Sequence, residues 1–189
     1  MDNHKKPLKC AAKDFTRTPF YIIQKKGAQQ RYVASFADKE QIKSFLLAFA
    51  GKAGAGLHIK IRDLGDQDNP QDYSGKVTFT QLKNALDNFE DFIFHDGFHD
   101  FMIRHSGTGD YIVFDEHALI FIYSGDNLAP MLNSYNLASK ENAQFIYNQD
   151  HWHYRPAEAQ QYIADLVSYL ELMPENTAGK NWWQKLLGL

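Results

Sequence analysis

Histidines and carboxylates crowd one stretch of this chain, from Phe92 to Ser124. His95-Asp96, His99-Asp100, His105, Asp110 and Asp115-Glu116-His117 fall inside it. Two imidazoles with a carboxylate and an open position form a zinc or iron set. A His beside an Asp also forms a general acid–base pair. The spacing itself carries no signature, since no His-Glu-x-x-His or comparable motif is present. Asp, Gly and Ser are also ordinary turn residues, so a solvated loop is the bland alternative.

A second set is Asp150-His151-Trp152-His153-Tyr154. In a strand, His151 and His153 share one face, and that two-residue spacing can also bind a metal. The single cysteine, Cys10, excludes an intrachain disulfide and a zinc site built from several thiolates. One thiol fits a reducing compartment. As a nucleophile it would need a fixed environment, and its segment reads as loose. Gly51, Gly54 and Gly56 follow a helix and precede a strand, the wrong order for a phosphate-binding turn. No serine sits in a Gly-x-Ser-x-Gly context.

The elements around the first cluster predict how it is held. Phe101 to Arg104, Tyr111 to Phe114 and Leu119 to Tyr123 read as three strands of a meander. A five-residue loop with two glycines joins the first pair and Asp115-Glu116-His117 joins the second. The start of the first strand then shares an edge with the second turn. His99, Asp100, Asp115 and His117 are therefore the candidate metal ligands, with Glu116 beside them. His105 and Asp110 belong to the opposite end. The second and third strands are apolar on both faces, so both faces are expected to be covered.

Elsewhere Phe20 to Ile23 and Arg31 to Phe36 read as a hairpin. Asp38 caps a helix with Gln41 at the capping-box position, and Ile42, Phe45, Leu46 and Phe49 make its apolar stripe. Leu57 to Arg62 alternates, which turns His58, Lys60 and Arg62 to water. Thr78 and Gln81 cap a second helix that runs to about Phe94. A short helix is expected over 129–137 and a strand over 144–147. Pro156 opens a last helix, which Pro174 stops. Hairpins mixed with helices predict an α+β fold with a mainly antiparallel sheet and three or four flanking helices.

The domain plan is a poorly ordered lead-in over 1–18, one α+β domain over 19–174, and a spacer and tail over 175–189. In the tail, Trp182, Trp183, Leu186 and Leu187 would share a helical face, a candidate contact for a partner or a second copy. A net charge of −3 argues against nucleic acid, whose phosphates need a basic field. No apolar run reaches the roughly 20 residues of a membrane span, and the N-terminus lacks a signal-peptide core. A cytoplasmic location is the expectation. The functional expectation is a non-catalytic protein-binding module of adaptor, inhibitor or immunity type. The alternative is a small metal-dependent, hydrolase-like enzyme using the His/Asp rim. No cofactor is predicted beyond a divalent metal at that rim.

Overall fold

A computed structural model describes residues 6–26, 29–54 and 56–175. Local chemistry accounts for most of its elements. In chain order these are β1 (Cys10–Ala12), β2 (Phe20–Lys26), β3 (Gln29–Ser35), α1 (Lys39–Ala50), β4 (Leu57–Asp63), β5 (Gln71–Val77), α2 (Phe79–Asn88) and α3 (Glu90–His95). There follow β6 (His99–His105), β7 (Tyr111–Phe114), β8 (Leu119–Tyr123), α4 (Ala129–Ser134), β9 (Ala138–Ser139), β10 (His151–His153), α5 (Ala159–Tyr169) and β11 (Met173–Pro174).

Both expected helix caps form. Asp38 Oδ1 accepts the Gln41 N–H at 2.9 Å. The Thr78 hydroxyl accepts the Gln81 N–H at 3.1 Å while the Gln81 side chain accepts the Thr78 N–H at 2.9 Å. This reciprocal box satisfies two N–H groups that α2 would otherwise leave orphaned. Thr78→Ala is expected to cost about 1 kcal/mol, read as a lowered urea midpoint with an unchanged m-value. The second helix does break earlier than its periodicity implies. Phe89 adopts φ −112°, ψ 25° and divides α2 from α3.

The main sheet has nine strands in the order β11-β5-β4-β6-β7-β8-β3-β2-β9, antiparallel throughout except for β2 against β9. The fold is therefore α+β with a mainly antiparallel sheet, and the meander β6-β7-β8 lies at its middle. Phe101, Ile103, Ile112, Phe114, Ile120 and Ile122 point to one face and share a single core with the stripes of α1, α2 and α5. The opposite face was expected to be covered as well. Among the described residues it carries two small clusters, one of Phe20, Ile22, Val33, Leu119 and Phe145, the other of Met102 and Tyr111.

Lys60 departs from its expected solvated position. It lies on the second face but is buried, its Nζ 2.8 Å from both Asp72 Oδ2 and Glu175 Oε2. Two carboxylates, Asp72 on the neighbouring β5 and Glu175 just beyond β11, replace the water that the alternation pattern assigned to it. The segment expected as a strand over 144–147 is instead irregular, with a 3₁₀ turn at Ile146–Asn148. No described helix is long and apolar enough to cross a membrane. The candidate partner-binding residues Trp182, Trp183, Leu186 and Leu187 lie outside the described residues.

The lead-in is where sequence and structure part most. Residues 10–12 form β1, which pairs with β10 in a two-stranded ribbon with Cys10 opposite His153 and Ala12 opposite His151. His95 hydrogen-bonds the Pro7 carbonyl at 2.7 Å. Arg17 donates to the His117 carbonyl at 2.8 Å and to Leu8 O at 3.3 Å. A segment without apolar periodicity is thus held by backbone pairing and side-chain donors, neither of which leaves a periodic trace in sequence.

Candidate metal centre

The turn between β7 and β8 is built by Asp115. Its Oδ1 accepts the N–H groups of His117 at 3.1 Å and Leu119 at 2.7 Å, an Asx turn that closes without an outside partner. Ala118 sits in the left-handed region at φ 58°. The turn fixes Glu116 and His117 at the rim of the sheet.

The ribbon then brings β10 to the same rim. Residues two apart on a strand share a face, so His151 and His153 both turn inward while Trp152 between them is 57% exposed. The rings of His117, His151 and His153 form a triangle with centroid separations of 5.0, 5.0 and 5.1 Å. One nitrogen from each lies within 4.8 Å of the other two. All three are partly buried, so small solutes can reach them.

Hydrogen-bond partners assign the protons. His151 Nδ1 is 2.8 Å from the Gln149 carbonyl. A carbonyl only accepts, so this nitrogen carries a hydrogen. His117 Nδ1 faces Asp115 Oδ2 at 3.5 Å and Glu116 Oε1 at 3.4 Å, which places its hydrogen on the same side. The two Nε2 atoms nonetheless approach to 3.2 Å. Two neutral rings with these tautomers would oppose lone pair to lone pair. The contact needs a proton or a cation. His117 is the ring whose proton affinity is raised. Burial alone would lower its pKa, but the Asp115 hydrogen bond and the charges of Asp115 and Glu116 raise it. His153 moves the other way, through burial and the neighbouring His117 charge.

Behind the imidazoles lies a buried carboxylate set with one buried cation. Burial and then Glu116 push the Asp100 carboxyl well up. Burial also opposes ionisation of Glu116, but the hydrogen bond from Asp100 holds its pKa down. The pair thus keeps one proton, on Asp100, and one charge, on Glu116. Asp115 is raised mainly by burial. Lys9 faces this set; burial lowers its pKa, and the charges of Asp100, Asp96, Asp115 and Glu116 oppose that shift. It is fully buried, its Nζ donates to the His99 carbonyl at 2.6 Å, and it lies 4.4 Å from the centre of the Phe114 ring. Its backbone is left-handed at φ 55°, a strained state for lysine that the surrounding contacts must hold. One such contact is the Lys9 carbonyl, which accepts the Tyr154 N–H at 2.8 Å.

Of the four candidate ligands, Asp115 and His117 meet in the β7–β8 turn, together with Glu116. Asp100 bonds Glu116 behind them. His99 goes elsewhere. Neighbouring strand residues point to opposite faces, and His99 turns into the helical side of the sheet. There it stacks on Phe92 at 4.6 Å with Nδ1 3.3 Å from Asp96 Oδ2. Burial and then the Lys9 charge lower its pKa to about 4, so it is neutral. Its place beside His117 is taken by His151 and His153, which the sequence marks as a separate pair. His105 is likewise committed, to the Phe49 carbonyl at 2.9 Å. Lys9 was not foreseen at all; a lysine in a polar lead-in carries no local sign of burial.

A cavity of about 280 Å³ opens beside the triad, with His153 and Glu116 in its wall. Cys10, opposite His153 in the ribbon, is buried, with its thiol pushed up to about 11 mainly by burial. That thiol is protonated at neutral pH and is not a poised nucleophile. No protein-family model, no curated protein and no solved structure matches this chain.

Proposed function

We propose that the protein is a divalent-metal-dependent hydrolase whose ion is held by His117, His151 and His153. The observation that carries this reading is the 3.2 Å approach of His117 Nε2 and His151 Nε2 with both Nδ1 atoms committed elsewhere. Zinc–nitrogen bonds of about 2.0–2.1 Å at tetrahedral angles separate two ligand nitrogens by about 3.3 Å. Ligating histidines also characteristically donate their second ring N–H to a carboxylate or a backbone carbonyl. His117 faces Asp115 and Glu116, and His151 bonds Gln149 O, so both types of support are present.

Three imidazoles leave a fourth position for water. A divalent ion there supplies a Lewis acid and a water of lowered pKa. Glu116, ionised and in the cavity wall, accepts the proton of that water. With an ion bound, the water oxygen would bond to the electrophilic centre of an ester, the ester bond would break, and the proton would pass from Glu116 to the leaving oxygen. Asp115 orients His117, and Lys9 offsets the buried negative charge. The protein-binding reading draws on the acidic surface and on the apolar C-terminal segment, which lies outside the described residues.

Protein stripped with chelator and dialysed against zinc should take up one equivalent per chain. Its cobalt form should show the intense visible bands of tetrahedral coordination, and the loaded protein should hydrolyse an activated ester above the buffer rate. A chain that takes up none of zinc, cobalt, nickel or manganese overturns the proposal.

A further inference from the structure

We propose that the cavity beside the triad is a subsite for a phosphoryl group, anchored by Arg62, and that the substrate is a small phosphomonoester. The inference rests on the metal centre proposed above. The cavity is lined by Arg62, Gln67, Phe98, Glu116 and His153 among others. It therefore runs from a histidine of the triad to a guanidinium. Gly97 forms part of its wall and permits the close approach. A Cβ there would lie 2.8 Å from His153 Nδ1 and 2.2 Å from the Lys9 carbonyl.

Arg62 is placed for a ligand more than for a structural ion pair. It stands in β4 between Asp72 on one neighbouring strand and Asp100 on the other. Asp72 is already committed to Lys60 at 2.8 Å. Its other oxygen is 3.7 Å from Arg62 Nε, beyond hydrogen-bonding range. That Nε is buried without a hydrogen-bond partner. The guanidinium keeps its charge and its donors while lining a cavity, the condition in which a planar fork takes up an oxyanion. Arg155 lies 5.1 Å from the ring centre of Phe98 in the cavity wall and 3.9 Å from Asp63 Oδ1.

The ligand class follows from counting oxygens. A group gripped by Arg62 and also held at the triad without sharing an oxygen between the two offers at least three, two for the fork and one for the ion. A carboxylate has two. A phosphate monoester has three besides the ester oxygen that leaves. A neutral ester would leave Arg62 unmatched. The volume, near the lower end for small-molecule sites, selects a small ester rather than a polymer. Glu116 in the same wall repels an anion until an ion at the triad offsets it. Phosphate binding should therefore depend on the metal. In hydrolysis the water oxygen bonds to phosphorus, the ester P–O bond breaks, and the leaving alcohol takes its proton from Glu116.

The test uses the full chain, loaded with one equivalent of zinc and freed of excess, titrated calorimetrically with inorganic phosphate. Wild type should bind phosphate when loaded and not when metal-free. Arg62→Gln should lose about 10–100-fold in phosphate affinity, the worth of a charge-assisted hydrogen bond, and Arg62→Lys should fall between. Zinc affinity should be the same in all three. Loaded wild type that fails to bind phosphate overturns the inference and leaves the metal centre standing, as does metal-free protein that binds it equally well. An Arg62→Gln protein with wild-type phosphate affinity does the same. A chain that binds no zinc removes both proposals, and the zinc titration alone identifies that case.

Discussion

His153→Ala lowers zinc affinity about 100-fold and leaves the fold in place. A four-ligand structural zinc site is worth about 10–16 kcal/mol in apparent binding free energy, so one ligand accounts for about 3 kcal/mol, or two decades in Kd. The fold survives because His153 lies in the two-stranded ribbon, partly exposed, with its backbone pairing to Cys10 untouched. His117→Ala and His151→Ala give losses of similar size, and any two together abolish binding at micromolar metal. Competition against a chromophoric chelator reads the affinity. Thermal melting supplies the control: zinc at 100 times its Kd stabilises wild type by about 2.7 kcal/mol, and the variant loses that increment at the same zinc concentration. Equal zinc affinity in wild type and all three single variants would exclude the triad as the site. The triad also sets a pH sign. In metal-free protein His117 is protonated above its ordinary range, and zinc must displace that proton, so affinity rises with pH.

Lys9→Met removes about 3–5 kcal/mol of stability at pH 7. Breaking a buried charge constellation by deleting one partner leaves the rest uncompensated. Here the rest is Glu116 and Asp115, with Asp96 and Asp100 also within the field of Lys9. Methionine matches the stem in volume, so lost packing is a minor part. The pH dependence separates charge from packing. Burial and Glu116 already hold the Asp100 carboxyl above its ordinary value, burial does the same for Asp115, and loss of the nearby ammonium pushes Asp100 further up. The folded variant then binds more protons than the unfolded chain, and its stability rises as pH falls. Its deficit against wild type should narrow between pH 7 and pH 5. Urea denaturation of both proteins at the two pH values reads this. A deficit that stays constant or widens toward acid would mean that Lys9 acts by shape, not by charge.

The histidine triad and the buried lysine meet at one rim of the sheet, and the sequence by itself determined a good part of that rim. The three strands of the meander were legible because β-branched and aromatic runs are bounded by turn residues, both local signals. Those strands put the start of β6 beside the β7–β8 turn, so Asp100, Asp115, Glu116 and His117 could be grouped without coordinates. The caps at Asp38 and Thr78 were legible for the same reason, since a capping box is written within four residues. His99 marks where this resolution ends. Whether a residue at a strand end joins the rim or the core depends on which face the helices cover, and a shift of one residue reverses it. Only the packing of α3 against the sheet, with Phe92 over the His99 ring, decided that His99 belongs to the core. The union of His117 with His151 and His153 was out of reach for a different reason. It spans 34 residues between His117 and His151 and is mediated by β1, three residues long. A ribbon that short has no hydrophobic period, and its stability comes from backbone pairing and from the docking of Pro7, Leu8 and Arg17. Lys9 follows the same logic. No apolar period marks it in the sequence, and its burial is set by the left-handed backbone at φ 55° and by the Nζ hydrogen bond to the His99 carbonyl. Pairing between distant, aperiodic segments is the part of this protein that only the tertiary structure could decide.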